Sequence, residues 1–471
     1  MQTPSLMDNE ARGGDTAEGG FKFQIHHTVA RIPCWLAQDG FQEMIREALG
    51  DAEARFFIPG RQGECEFIEY KDHMLIPSKF WPEIQRFQDM ENGAPGTYRK
   101  FVLVCVGLSK KLHPLKNALK RVRQAFPFYD GAELIQEASY QDYAQAVSQL
   151  GQDAETAKFI FDKVLLEDNV PDAGDLPFEL FRSALIKNYP QLDQEEGRKI
   201  RMAYLELIDL IGSRKNRPVL RQEIESVLWN NIEVSYHPRS CIRLHTLAHQ
   251  DEIDQGPITF DWGELSGGKD RSFPPQEQWM AAIEELWSAR DWILSTQRPK
   301  RLVLTGNRRL SASVAIGAIF SAVEGFSIDL HYREDIWPTD QFPTQQTPSY
   351  VWSTNQIDGT DKSELVITIG VKRDPSYEVT NFLPKSFPSL HLFSDEAILS
   401  PDHANSAVDK AKRCIDKALI TVKPEKLHLF LATPAFFSLF LGHRLNATCD
   451  IQCYERVSVG QYIPTMRLNM T

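Results

Sequence analysis

The spacing of apolar positions divides the chain into three stretches. Between about residues 20 and 110, FKFQIHHTVARIPCWLAQ carries Phe23, Ile25, Val29, Ile32 and Leu36 at helical intervals. FQEMIREALG continues with a second short helical pattern that Gly50 would end. ARFFIP, the turn GRQG and ECEFIEYK then read as two strands joined in a hairpin. FVLVCVGL is a nearly continuous apolar run, as expected of a strand buried on both faces. Between about 113 and 230 the pattern is helical throughout: HPLKNALKRVRQAF, AELIQEASYQDYAQAVSQL, AETAKFIFDKVLLE, LPFELFRSALIKNY, EEGRKIRMAYLELIDLIG and RQEIESVLWNN each hold an apolar face.

From about 237 to 471 strands and helices alternate. RLVLTG precedes SASVAIGAIFSAV, FSIDLHY and ELVITIGVK follow, and LHLFLAT leads into PAFFSLFLGHRL before CDIQCYERV. Such alternation predicts a mostly parallel sheet with helices on both faces. The two strand–loop–helix units RLVLTGNRRLSASVAIGAIF and LHLFLATPAFFSLFLGHRL suggest two related α/β halves.

Composition narrows the classes. At 471 residues, 42% hydrophobic and 25% charged, the chain is an ordinary globular protein of two to four domains, which excludes wholesale disorder and collagen. No run approaches the roughly 18 apolar residues of a membrane span. The first 20 residues lack the basic and apolar regions of a signal peptide and read as a flexible lead-in, implying a cytoplasmic protein. The seven cysteines are scattered, with no CxxC pair, against a zinc ribbon and consistent with a reducing compartment. His245 and His249 lie four apart, but on the strand-like CIRLHTLAHQ that spacing separates them too widely to share a metal. A net charge of -12 argues against a nucleic-acid partner. One stretch departs from it. From Arg99 to Tyr129 there are eight basic residues and no acidic one. Lys110, Lys111, Lys116, Lys120 and Arg123 among them could track a phosphate backbone, and Lys116, Lys120 and Arg123 would share a helix face. A solvated basic face is the plainer reading.

Two constellations carry chemistry. In ECEFIEYKDH, Glu69 and Lys71 fall on one face of a strand, and Asp51 lies just before the preceding strand. Two carboxylates can hold Mg²⁺ or Mn²⁺, and a lysine beside them can orient water and neutralise a developing phosphate charge. This is the D…(E/Q)xK arrangement of restriction-endonuclease-like folds. An acidic-x-basic triplet on a strand is more commonly a solvated face. Gln24 and Glu47 are candidate supporting groups, and Glu47 or Glu53 is an alternative to Asp51 as metal ligand. In the C-terminal stretch, RLVLTGNRRLSAS places Thr305, Gly306, Arg308 and Arg309 between a strand and a helix, with Ser311 as the expected N-cap. Exposed N–H groups and arginines at a helix start favour phosphate. Thr433 and Pro434 occupy the matching place in the second unit, and Lys372 and Arg373 end another strand. There is no GxGxxG or GxxxxGK[ST], so neither a dinucleotide fingerprint nor a P-loop is present.

The C-terminal block resembles a SAVED domain. The likeness rests on ITFDWGEL (Asp261, Trp262), QEQWMAAIEELW (Trp279), RLVLTGNRRLSASVAIGAIF, DIWPTDQF (Trp337), ELVITIGV, LHLFLATPAFFSLFLGHRLN and CYERVSVGQYIPTMRL, in that order. SAVED domains resemble two fused CARF-like, Rossmann-like halves and sense cyclic oligonucleotides in bacterial anti-phage (CBASS) signalling. The N-terminal block is similar to the endonuclease domain often fused to them, through GGFKFQ, Asp51 and EYK; many such proteins carry QxK where this chain has Glu69-Tyr70-Lys71.

The resemblance implies an α/β chain with a restriction-endonuclease-like domain over 21–230 (its part from 113 mostly helical) and a SAVED domain over 237–471. It implies a Mg²⁺-dependent double-stranded DNA endonuclease switched on by a cyclic oligonucleotide, a cyclic trinucleotide or related species, through self-association. A different class of reading is a non-catalytic sensor whose degenerate nuclease domain binds DNA or a partner protein. The intact Glu69-x-Lys71 disfavours it. A third, an α/β enzyme acting on a free nucleotide, finds no acid-base pair or nucleophile motif in the C-terminal sheet.

Overall fold

The computed structural model describes residues 9–116, 132–168, 175–232, 241–247, 256–268, 271–384, 386–445 and 449–469. It divides into two compact units: Met1–Phe57 with Gln62–Pro238, and Ile58–Arg61 with Arg239–Thr471.

In the first unit the elements run α1 (Asn9–Leu36), β1 (Phe41–Arg46), β2 (Ala52–Phe56), β3 (Glu64–Leu75), α2 (Pro77–Gly93), β4 (Tyr98–Leu108), α3 (Ala132–Gln149), α4 (Ala154–Lys163), β5 (Val164–Glu167), α5 (Leu176–Asn188), α6 (Gly197–Ser213), β6 (Pro218–Leu220) and α7 (Arg221–Asn231). Six strands form one sheet in the order β5-β4-β3-β2-β1-β6. β2 and β3 pair antiparallel as the expected hairpin, whereas β3–β4 and β4–β5 are parallel. Alternation along β3 sends Ile68 and Tyr70 to one core, with Trp35, Phe41, Phe181 and Tyr204. It sends Phe67 to the other, with Phe80, Ile84, Phe87 and Phe101. Helices therefore cover both faces of the sheet, and Glu69 and Lys71 share the face of Phe67 that lies under α2.

Several elements differ from the expectations. α1 begins at Asn9, inside the stretch read as a lead-in. FQEMIR is strand β1, not a helix: it pairs with β2 and β6, and a register shift between Phe41 and Glu43 breaks strict alternation. That irregularity leaves Phe41, Met44 and Ile45 at an i, i+3, i+4 spacing that mimics a helix. The segment VLLE is strand β5 beside β4, so the middle block is not helical throughout. Much of HPLKNALKRVRQAF, with Lys120 and Arg123, lies outside the described residues. Helix α2 has no counterpart in the periodicity reading. Pro77 starts it, and Phe80, Ile84 and Phe87 bury its inner stripe.

The second unit runs β7 (Ile242–Leu247), β8 (Ile258–Asp261), α8 (Gln276–Ser295), β9 (Arg301–Gly306), α9 (Leu310–Ile319), β10 (Ser327–Tyr332), β11 (Asp335–Pro338), β12 (Ser353–Ile357), β13 (Glu364–Val371), α10 (Ser376–Thr380), β14 (Ser389–Ser394), α11 (Pro401–Val422), β15 (Lys426–Ala432), α12 (Ala435–Arg444), β16 (Asp450–Ser458) and β17 (Gln461–Leu468). Two sheets form, in the orders β11-β10-β9-β7-β8 and β12-β14-β13-β15-β16-β17. Their inner pairings and the β7–β8 edge are parallel, and the other three edges, β10–β11, β12–β14 and β16–β17, are antiparallel. These are the two Rossmann-like halves that the repeated strand–loop–helix units suggested.

The helices of those units, α9 and α12, pack against each other. A Cβ on Gly317 would stand 2.2 Å from the Leu439 carbonyl oxygen, and one on Gly442 2.2 Å from that of Val314. Each glycine is the eighth residue of its helix. Only hydrogen at both places lets the two backbones approach this closely. Trp262, Trp279 and Trp337 are buried and serve the core. Among the described residues no helix is long and apolar enough to cross a membrane.

Candidate active site and ligand pocket

The hairpin and α2 assemble the first site. Glu69 and Lys71 project from β3 on one face, and Lys71 Nζ lies 2.9 Å from Glu69 Oε1. Asp51 stands at the start of β2, opposite them. Its Oδ2 accepts the Tyr70 N–H at 2.7 Å and its Oδ1 the Gln24 amide at 2.9 Å. Gln24 therefore supports Asp51 from α1.

Neither alternative carboxylate reaches this place. Glu47 adopts a positive φ of 52° and pairs with Arg46 and Lys215. Glu53 accepts the Leu49 N–H at 3.0 Å and pairs with Arg55. Two charged residues not foreseen come from α2: Glu83 is 2.7 Å from Lys71 Nζ, and Arg86 is 2.6 Å from Glu69 Oε2.

The electrostatics follow from burial. Desolvation and then the negative charge of Glu69 push the Asp51 carboxyl up to about 6, against the pull of the Tyr70 N–H. Burial draws the Lys71 ammonium down, but its bonds to Glu83 and Glu69 outweigh that and hold its pKa above the usual value. Among the described residues no three His, Cys, Asp or Glu side chains gather as a metal cage. A cation here would have two carboxylates and water. The all-oxygen donor set suits Mg²⁺ or Mn²⁺, and the strained Asp51–Glu69 pair is what an added positive charge would relieve.

The basic stretch is only partly free. Lys110 and Lys111 are exposed, while Lys116 pairs with Asp168.

In the second unit the carboxyl ends of β9, β13 and β15 surround a cleft of about 340 Å³. Arg308, Arg309, Arg373 and Thr433 line it, together with Arg271, Glu455, Arg456 and Tyr462. The cleft thus has five arginines and one carboxylate.

Arg308 is only partly satisfied by the protein. Its Nη1 donates to the Gly306 carbonyl at 2.9 Å, its buried Nε has no hydrogen-bond partner, and burial pulls its pKa down to about 10. Arg309 lies 5.0 Å from the Phe273 ring centroid. Arg373 and Arg456 are held by Glu378, at 2.7 and 2.8 Å. The Arg456 bond leads the interactions that keep the Glu378 carboxyl at about 2.

Other expected contacts fall elsewhere. Thr305 Oγ1 meets His245 Nδ1 at 2.7 Å. Gly306, with φ +85°, lets β9 pass the Thr246 carbonyl, 2.0 Å from where a Cβ would be. Lys372 turns outward toward Asp395 at 3.4 Å. Pro434 is the N-cap of α12. Arg309, not Ser311, is the N-cap of α9. Ser311 is buried as the second residue of the helix, and its N–H donates to Glu455 Oε1 at 2.9 Å. The protein's own carboxylate therefore holds the N–H offered to phosphate in the sequence reading, and arginine side chains are left to meet an anion. Arg271 and Arg456 escaped that reading because they reach the cleft from a loop and from β16, remote in sequence.

Comparison with known proteins places likenesses beside this fold. Residues 288–468 match the family model of SAVED, described as a SMODS-associated and fused to various effectors sensor domain. The chain is 28% identical over 475 residues to CD-NTase-associated protein 4 of Moraxella osloensis, covering 99% of each. It is also 28% identical over 478 residues to the protein of that name from Acinetobacter sp. (strain ATCC 27244 / 9458), again covering 99% of each. Among solved structures it is similar to the Acinetobacter baumannii Cap4 SAVED/CARF-domain containing receptor with the cyclic trinucleotide 3'3'3'-cAAA. That likeness has a TM-score of 0.81 at 25% identity, covering 96% of this chain and 99% of that one. The Moraxella osloensis Cap4 receptor gives a TM-score of 0.77 at 25% identity, covering 96% of this chain and 99% of that one.

Proposed function

We propose that this chain, whose C-terminal unit carries a SAVED domain, is a Mg²⁺-dependent endonuclease of double-stranded DNA switched on by a cyclic trinucleotide in bacterial anti-phage defence. The carrying observation is the convergence of Asp51, Glu69 and Lys71 on one sheet face of the first unit. The arginine-lined cleft supports the ligand half, as does the cyclic trinucleotide named with the similar receptor. Activation proceeds through self-association.

Asp51 and Glu69 would hold the metal, which supplies Lewis-acid polarisation of the phosphodiester and a more acidic water. Gln24 and the Tyr70 N–H fix the Asp51 carboxylate. Lys71 orients the attacking water and stabilises the negative charge that grows on the phosphate oxygens. The water oxygen forms the new P–O bond, the bond to the leaving sugar oxygen breaks, and the water proton passes to solvent as the leaving oxygen gains one.

Plasmid digestion with Mg²⁺ tests this, without ligand and with 3'3'3'-cAAA, 2'3'3'-cAAA and cyclic dinucleotides. The expected result is cleavage only with a cyclic trinucleotide. Ligand binding with no cleavage under any metal would leave the chain a non-catalytic sensor.

A further inference from the structure

Helix α2 closes a ring of charge around the ExK pair. Lys71 bridges Glu69 and Glu83 at 2.9 and 2.7 Å, and Arg86 bridges the same two acids at 2.6 and 3.1 Å. Both oxygens of Glu69 are thus engaged by the protein's own cations. Arg86 also bears electrostatically on Asp51, so it senses both carboxylates a divalent ion would use.

Ordinary surface ion pairs carry little weight. This ring differs because Glu69 is only 8% exposed and an unpaired carboxylate there would be costly. Arg86 is the outermost member, with a side chain 39% exposed against 20% for Lys71 and 19% for Glu83. Its guanidinium carbon lies 5.4 and 5.6 Å from the centroids of the Phe67 and Phe87 rings. A planar guanidinium at such a rim matches two phosphate oxygens.

We propose that Arg86 occupies Glu69 in place of the divalent ion while the site is idle, yields it when the ion binds, and then engages the substrate phosphate, with Glu83 positioning Lys71 throughout. This rests on the nuclease reading and deepens it. The exchange breaks and forms only ion pairs, so no co-reactant is required.

The test uses the full chain and Mn²⁺ alone as the first probe, its binding followed by electron paramagnetic resonance without DNA. Arg86→Gln should bind Mn²⁺ about tenfold more tightly than the wild type, because a competing cation is gone. At saturating Mn²⁺ and 3'3'3'-cAAA the same variant should cut DNA at least tenfold more slowly. Arg86→Lys should restore part of the competition and part of the rate. A merely structural arginine would not give tighter metal with slower turnover. Glu83→Gln should leave Mn²⁺ affinity within about twofold and slow cleavage. Mn²⁺ binding by Arg86→Gln that is equal to or weaker than wild type, in protein that melts as a folded chain, overturns the proposal. A wild type that binds no Mn²⁺, or cuts no DNA with any cyclic trinucleotide, overturns the nuclease reading instead. Wild-type binding and cleavage with an unaltered Arg86→Gln variant removes the exchange alone.

Discussion

Lys71 is the residue on which the nuclease reading turns. It is half-buried between two carboxylates, and among the described residues no other amine is placed against Glu69. Lys71→Ala should lower ligand-stimulated DNA cleavage by at least about a hundredfold, while calorimetric binding of 3'3'3'-cAAA stays unchanged. A Lys71→Ala variant that still cuts well would refute the assignment. A second single-residue expectation concerns stability. His443 in α12 is buried, its Nε2 bonded to the Phe326 carbonyl at 3.0 Å and its Nδ1 without a partner. Burial brings its pKa down from 6.5 to about 4. A base depressed in the folded state is stabilising above its unfolded pKa, and that contribution is lost as pH falls toward the folded value. Between pH 7.5 and 5 it should remove about 2 kcal/mol from the unfolding free energy. Chemical denaturation of wild type and His443→Gln at both pH values checks this, since the variant should lose less.

The elements were legible where their pattern was local. β3, β4, β9 and α12 could be read from periodicity because their burial is one-sided or complete over several turns or pleats. β1 could not, since its bulge counterfeits helical spacing and only pairing with β2 and β6 decides its form. Asp51, Glu69 and Lys71 could be singled out by type and spacing. Glu83 and Arg86 could not, because α2 crosses back over β3 and no short motif announces that return. In the ligand cleft, Arg308, Arg309 and Arg373 were visible as strand-end cations, whereas Arg271 and Arg456 depend on which strands become neighbours. Arg308→Ala and Arg309→Ala should each weaken cyclic trinucleotide binding by about tenfold or more, as a lost charge-assisted hydrogen bond does. Calorimetry measures it; two variants that bind normally would move the pocket elsewhere. Gly442→Ala should cost about 1–3 kcal/mol of stability by forcing a methyl group against the Val314 carbonyl. An unchanged denaturation midpoint would contradict so close a helix contact.

For the whole molecule, a net charge of -12 is an average over dissimilar surfaces. The cleft of the second unit gathers five arginines, and Lys110 and Lys111 stand exposed in the first. A chain this acidic should bind DNA weakly by itself, and tight contact should await several basic surfaces assembled together. DNA affinity should therefore rise with 3'3'3'-cAAA, and its dependence on salt should steepen. Equal affinity and slope with and without ligand, measured by fluorescence anisotropy, would show that assembly is not what brings DNA in.

The glycine crossing of α9 and α12 bears on this as mechanics. Each helix begins at the cleft, near Arg309 and Thr433, and meets its partner seven residues later. At 1.5 Å per residue that arm is about 10 Å long. At the two glycines backbone meets backbone with no side chain between, so that point can serve as a fulcrum. A turn of ten degrees there carries each helix start by about 2 Å, enough to make or break a hydrogen bond. A ligand that draws the two starts together would thus tilt both helices about the crossing, and their short far ends, two residues beyond it, would move much less.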